Sequence, residues 1–105
     1  MTDGIQLFRG NATLLASGSG QVVAADSTKR VILTGWTFNV NGAQDAILFE
    51  YGTGSVILDR LNGTAEGVVS NVNLTKEYEI GAGSSVYVAL DGSADTSATV
   101  FYYKI

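Results

Sequence analysis

Two pairs of carboxylates are the residues of this chain best placed, by type and spacing, to do chemistry. Glu77 and Glu79 flank Tyr78, and on a strand they would project from one face about 7 Å apart. That separation falls in the range of the two acids of a glycosidase. Such a pair also needs one carboxyl in an apolar pocket that raises its pKa. An exposed pair on an edge strand, where like charges discourage edge-to-edge pairing, accounts for them more simply. Asp91 and Asp95 enclose Gly92-Ser93-Ala94, and carboxylates in a loop suggest calcium. Calcium loops of the EF-hand kind, however, place acids at alternating positions with a bidentate acid further on. Here positions 93 and 97 are both Ser, so Asp91-Gly92 reads as a hairpin turn.

Nucleophilic catalysis meets a sharper limit. The chain has no His, no Cys and no Pro, so its many Ser and Thr hydroxyls have neither an imidazole to activate them nor a thiol to replace them. The glycine clusters Gly52-Thr53-Gly54-Ser55 and Gly81-Ala82-Gly83-Ser84-Ser85 lack the Lys-Ser/Thr of a phosphate loop and open no helix. They read as turns. Asn11, Asn62 and Asn73 each begin an Asn-x-Thr triplet, read as turn and strand residues rather than glycosylation acceptors. Trp36 and the tyrosines are the material of a sugar-stacking platform, yet Trp36 shares its pattern with Ile32 and Phe38 and is expected in the core. No enzymatic activity, cofactor or metal is expected.

The composition narrows the partners. The net charge is −4 and Lys29-Arg30 is the only adjacent basic pair, which argues against nucleic acid. No apolar run approaches the roughly 18 residues of a membrane span, and the first residues carry no secretion signal. The expectation is synthesis in the cytoplasm without membrane contact. Charged residues are only 15% of the chain, against about 25% in ordinary domains. Either the core is large for the size, or another chain covers part of the surface.

The elements that position these residues are strands. Apolar residues recur at period two between Gly, Asn, Asp and Ser. The clearest strand covers residues 29–40, with Ile32, Thr34, Trp36, Phe38 and Val40 on one face, and ends at Asn41-Gly42. Residues 45–51 follow as a strand with two apolar faces, Ala46 and Leu48 against Ile47, Phe49 and Tyr51, implying burial on both sides. A helix over 43–51 competes but fits the aromatic content less well. Further strands are expected at 55–61, 64–73, 77–80, 84–90 and 96–105, with shorter ones at 5–8, 12–16 and 21–25. About eight to ten short strands at this spacing predict an all-β, single-domain antiparallel β-sandwich over residues 1–105, jelly-roll-like in layout.

The last strand alternates Ala98, Val100 and Tyr102 with Thr99, Phe101, Tyr103 and Ile105. A sandwich strand needs only one apolar face, so a second one predicts contact with another chain.

Lys29-Arg30-Val31-Ile32-Leu33, residues 39–54, the glycine-led segment 81–90 and residues 91–105 with their terminal aromatics together carry a resemblance. Over about 75 residues the layout resembles small structural proteins of tailed-bacteriophage virions, the capsid decoration or cement class, with residues 91–105 as a closing hairpin. The resemblance implies a homotrimer bound to the major capsid protein on the capsid exterior, stabilising the shell without catalysis. Ile5, Leu7, Phe8, Arg9, Phe101, Tyr102 and Tyr103 are then the candidate subunit or capsid interface, with residues 1–10 as a candidate N-terminal arm. The alternative is a tail-fibre or spike recognition domain that binds a host-surface glycan.

Overall fold

In a computed structural model, which describes residues 6–52, 55–92 and 95–105, the chain forms eight strands and no helix. They are β1 (Leu7–Leu14), β2 (Gly18–Val23), β3 (Val31–Asn41), β4 (Asp45–Tyr51), β5 (Ser55–Asn62), β6 (Val68–Glu79), β7 (Ser85–Asp91) and β8 (Asp95–Lys104). Two four-stranded antiparallel sheets pack face to face, in the orders β1-β8-β3-β6 and β2-β7-β4-β5. The pairings β1–β8, β2–β7, β3–β6 and β4–β5 are those of one long hairpin folded over on itself. This is the jelly-roll arrangement, and the fold is the all-β sandwich that the sequence pattern predicts.

Period-two alternation decides which side chains meet between the sheets. Phe38 and Val40 of β3, Leu48 of β4, Val86 and Val88 of β7 and Val100 of β8 are fully buried in one continuous core. Trp36 belongs to it, as expected, and its indole Nε1 donates to Asp59 Oδ2 of β5 at 2.9 Å, tying the sheets together. Ser70 of β6 donates to the same oxygen at 2.8 Å, so this inward carboxylate is not left unpaired.

Several local expectations change. In β3 a bulge between Leu33 and Gly35 inserts an extra residue, which reverses the parity of the strand. Val31 and Leu33 therefore join Trp36 in the core, while Ile32 falls in the outer row of Tyr103 and Glu79. The expected strands at 5–8 and 12–16 are one strand, β1, and those at 64–73 and 77–80 are likewise joined in β6. β4 is a strand as expected, but it is not buried on both sides: Tyr51 is 56% exposed.

The turn signals also act differently. β4 and β5 pair as antiparallel neighbours with Tyr51 opposite Ser55, while Thr53 and Gly54 of the expected turn lie outside the described residues. Asn41-Gly42, Asn62-Gly63 and Asp91-Gly92 instead carry the chain from one sheet to the other, so residues 91–105 are not a closing hairpin. β8 pairs with β1 and β3. At the end of the sandwich where these crossovers meet, the Gly63 amide donates to the Gln44 carbonyl at 2.9 Å, and a Cβ on Gly63 would strike the carbonyls of Gly42 and Gln44. Gly10 plays the same part at the β1–β2 edge, where its bare Cα lies against the Val22 carbonyl.

Candidate functional site

Strand register places the sequence candidates in two groups. Leu7, Arg9, Phe101 and Tyr103 come together on the outer face of the first sheet, as the cross-strand pairs Leu7–Tyr103 and Arg9–Phe101 of β1 and β8. Leu7 is 71% exposed and Phe101 39%. Phe8 and Tyr102 point the other way and stack with ring centroids 5.5 Å apart. Tyr102 packs against the core and Phe8 covers it, so neither is on the outward surface with Leu7 and Phe101. Ile5 lies outside the described residues, as do the other residues of 1–5; in the rest of the candidate arm, Leu7 to Gly10 belong to β1 and pair in register with β8, with Gln6 just before the strand.

Ionic ties ring this apolar corner. Arg30 binds Glu79 through Nη2 and Nε, at 2.8 and 3.1 Å, and this holds the Glu79 carboxyl below its ordinary value. Tyr103 donates its hydroxyl to Glu77 Oε1 at 2.6 Å, which raises the Tyr103 pKa. Glu77 and Glu79 lie on β6, an edge strand, and each is engaged by a partner from another strand or loop rather than facing an apolar cleft. Asp26 accepts from the Thr28 and Lys29 amides and pairs with Lys104 at 2.9 Å. The Thr28 amide first, and then Lys104, hold its carboxyl well below the usual range. Lys104 Nζ in turn lies 5.8 Å from the centre of the Phe8 ring.

The most buried carboxylate is Glu50, on the inward face of β4. Tyr78 donates its hydroxyl to Oε1 at 2.5 Å and the Gly81 amide donates to Oε2 at 2.7 Å. The bond to Glu50, with burial, pushes the Tyr78 pKa up to about 12. Both carboxylate oxygens are thus engaged in strapping β4 to β6 and to the loop before β7. Among the described residues, no group of three or more His, Cys, Asp or Glu side chains is placed to hold a metal ion. Asp91 and Asp95 sit at the end of β7 and the start of β8, with Asp91 opposite Asp45 of β4.

The outer face of the second sheet holds a site that the sequence pattern signals only in part. Phe49 and Tyr51 of β4 and Tyr87 of β7 form a cluster there. Phe49 and Tyr87, directly opposite each other, lie 6.1 Å apart at 29°, while Tyr51 stands across both at steep angles. With Ser19 of β2 and Ser55 of β5 they line an open groove of about 370 Å³. A smaller depression of about 260 Å³, lined by Asp45, Ile47, Arg60, Ala89, Leu90 and Asp91, lies toward the other end of the same sheet. The two-sided apolar pattern of β4 points to Phe49 and Tyr51. Tyr87 shows as a large residue out of phase with Val86, Val88 and Leu90, and only cross-strand register unites it with β4.

No helix of the structure is long and apolar enough to cross a membrane. No protein-family model matches the chain, and no curated protein matches it either.

Proposed function

We propose that this chain is a non-enzymatic structural protein of a phage virion: a decoration or cement protein that binds the capsid exterior as a homotrimer and stabilises the shell. The observation that carries the reading is the exposed pair Leu7 and Phe101 on the first sheet, with half-buried Tyr103 beside them near the C-terminus and the start of β1. An apolar corner with a charged rim has the anatomy of an interface core and its surround. Asp26, Glu50, Asp59, Glu77 and Glu79 are engaged in straps and ties, which suits a protein that acts by contact area. A standard interface buries about 800 Å² per partner, and a chain bridging two capsid subunits adds that contact to the cost of separating them. The proposed site is the virion exterior, reached after synthesis in the bacterial cytoplasm, with the major capsid protein as partner.

Light scattering after size-exclusion chromatography over a dilution series tests the oligomer: three chains of 11.0 kDa each give a species near 33 kDa. A persistent monomer removes the trimer. Co-sedimentation with shells of the cognate major capsid protein tests the partner. Phe101→Ser together with Leu7→Ser is expected to lower shell occupancy at least about tenfold while leaving the fold intact. Unchanged occupancy would refute this corner as the contact.

A further inference from the structure

We infer that the aromatic groove on the outer face of the second sheet is a binding site for a neutral saccharide chain. This goes beyond the structural role proposed above and rests on the opposite face of the molecule.

The groove crosses the strands instead of following one. Ser19 belongs to β2, Tyr87 to β7, Phe49 and Tyr51 to β4 and Ser55 to β5, so the lining spans the full width of the sheet. Four strands cover about 14 Å from first to last, a length suited to several linked rings. The floor is Phe49 and Tyr87, and Tyr51 rises edge-on beside them. An aromatic face carries partial negative charge, and the C–H groups on one side of a pyranose ring offer it matching positive hydrogens.

Hydroxyls complete the chemistry. Ser19 and Ser55 stand at the two margins, and Tyr87 and Tyr51 come from the two strands between them. Tyr78 and Tyr103 spend their hydroxyls on Glu50 and Glu77. Among the described residues, no other side chain engages the hydroxyl of Tyr51 or Tyr87, which leaves both able to donate and accept.

Charge and shape select the occupant. None of the described lining residues is charged, so the groove offers no counter-ion to an anionic or cationic ligand. A second copy of this chain would bring an identical groove, and two concave surfaces related by a two-fold axis leave a void between them. A neutral sugar matches both halves of the lining, rings with its C–H face and serines with its hydroxyls.

The test uses the full chain on a broad glycan array, followed by NMR titration with cellohexaose, maltohexaose, mannohexaose and chitohexaose, and with hexagalacturonate as the anionic control. At least one neutral chain is expected to bind with a Kd below about 1 mM, moving the amide resonances of β4 and β7. Tyr51→Ala and Tyr87→Ala each weaken that binding at least about tenfold; Tyr51 is more than half exposed, so its variant keeps the fold. Leu7→Ser with Phe101→Ser leaves sugar binding unchanged, which separates this result from the fate of the capsid reading. The inference is overturned if no neutral chain binds, if binding survives both tyrosine variants, or if only hexagalacturonate binds. Self-association abolished by Tyr51→Ala would also overturn it, and would make a second copy the occupant.

Discussion

The outer faces of the two sheets are made from the same alternating strands, yet they dispose of their side chains in opposite ways. Across the middle of the first sheet runs the row Asn11, Thr99, Thr37, Asn71. Its members bond to each other: Thr99 donates to Asn11 at 3.0 Å and Thr37 to Asn71 at 2.9 Å. The next row repeats the device, with Ser97 donating to Asn39 at 3.1 Å. Across the second sheet the equivalent row is Gln21, Tyr87, Phe49, Ile57, and Ile57 is 51% exposed. In these rows the first sheet satisfies its short polar side chains laterally, while its exposed apolar groups gather at the corner of Leu7 and Phe101. The aromatic face has rings and hydroxyls whose interactions are not completed within the row. Exposed polar side chains that bond to one another therefore do not mark a working surface; exposed groups without such partners do.

That contrast can be broken most strongly from beneath. Leu48 and Phe49 are neighbours on β4, the first fully buried and the second on the aromatic face. Leu48→Ala is expected to cost about 2–5 kcal/mol in chemical denaturation, because it opens a cavity in a packed core. Phe49→Ala should cost about 1 kcal/mol or less, the scale of a cross-strand pair. Equal losses would mean that the aromatic face is part of the core after all.

A smaller effect sharpens the contrast within the polar face. Thr37→Ala leaves Asn71 without its side-chain partner and is expected to cost about 0.5–1 kcal/mol. Thr37→Ser, which keeps the hydroxyl, recovers most of it. If the two variants are equally destabilised, the methyl rather than the hydrogen bond carries the row.

The pH dependence distinguishes the two faces of β6, Tyr78 against the core and Glu79 outside. The Tyr78 pKa is raised to about 12 from an ordinary value of 10.0. The unfolded chain therefore loses this proton first. The contribution is complete below pH 10 and declines as pH rises toward about 12. Tyr78→Phe is expected to remove that part of the alkaline decline in melting temperature. Glu79 titrates in the reverse sense: its carboxyl is held below its ordinary value of 4.5 by Arg30, so its contribution is present above that pH and lost as pH falls through the lowered value. It is solvent-exposed, so Glu79→Gln should give the smallest change, confined to neutral pH and vanishing in acid. A difference that persists in acid would assign the effect to packing.

Much of this molecule is legible without coordinates. Strict alternation in β4, β7 and β8 states which residues share a face, because successive side chains on a strand must point to opposite sides. The absence of imidazole and thiol limits the chemistry in the same direct way. Tertiary structure decided the rest. Asn41-Gly42 and Asp91-Gly92 specify that the chain reverses, but local geometry does not say whether the next strand joins the same sheet or crosses to the other. The bulge in β3 is equally silent in the pattern, since Ile32 and Leu33 are both apolar and either fits the core; pairing with β6 and β8 selects Leu33. The two candidate surfaces arise the same way. Alternation puts Phe101 and Tyr103 opposite Tyr102, and Phe49 and Tyr51 opposite Leu48, but only the packing of the sheets determines which of those faces is covered. Periodicity along a chain records that a strand has two faces; which face lies inside is settled by contacts between residues far apart in sequence.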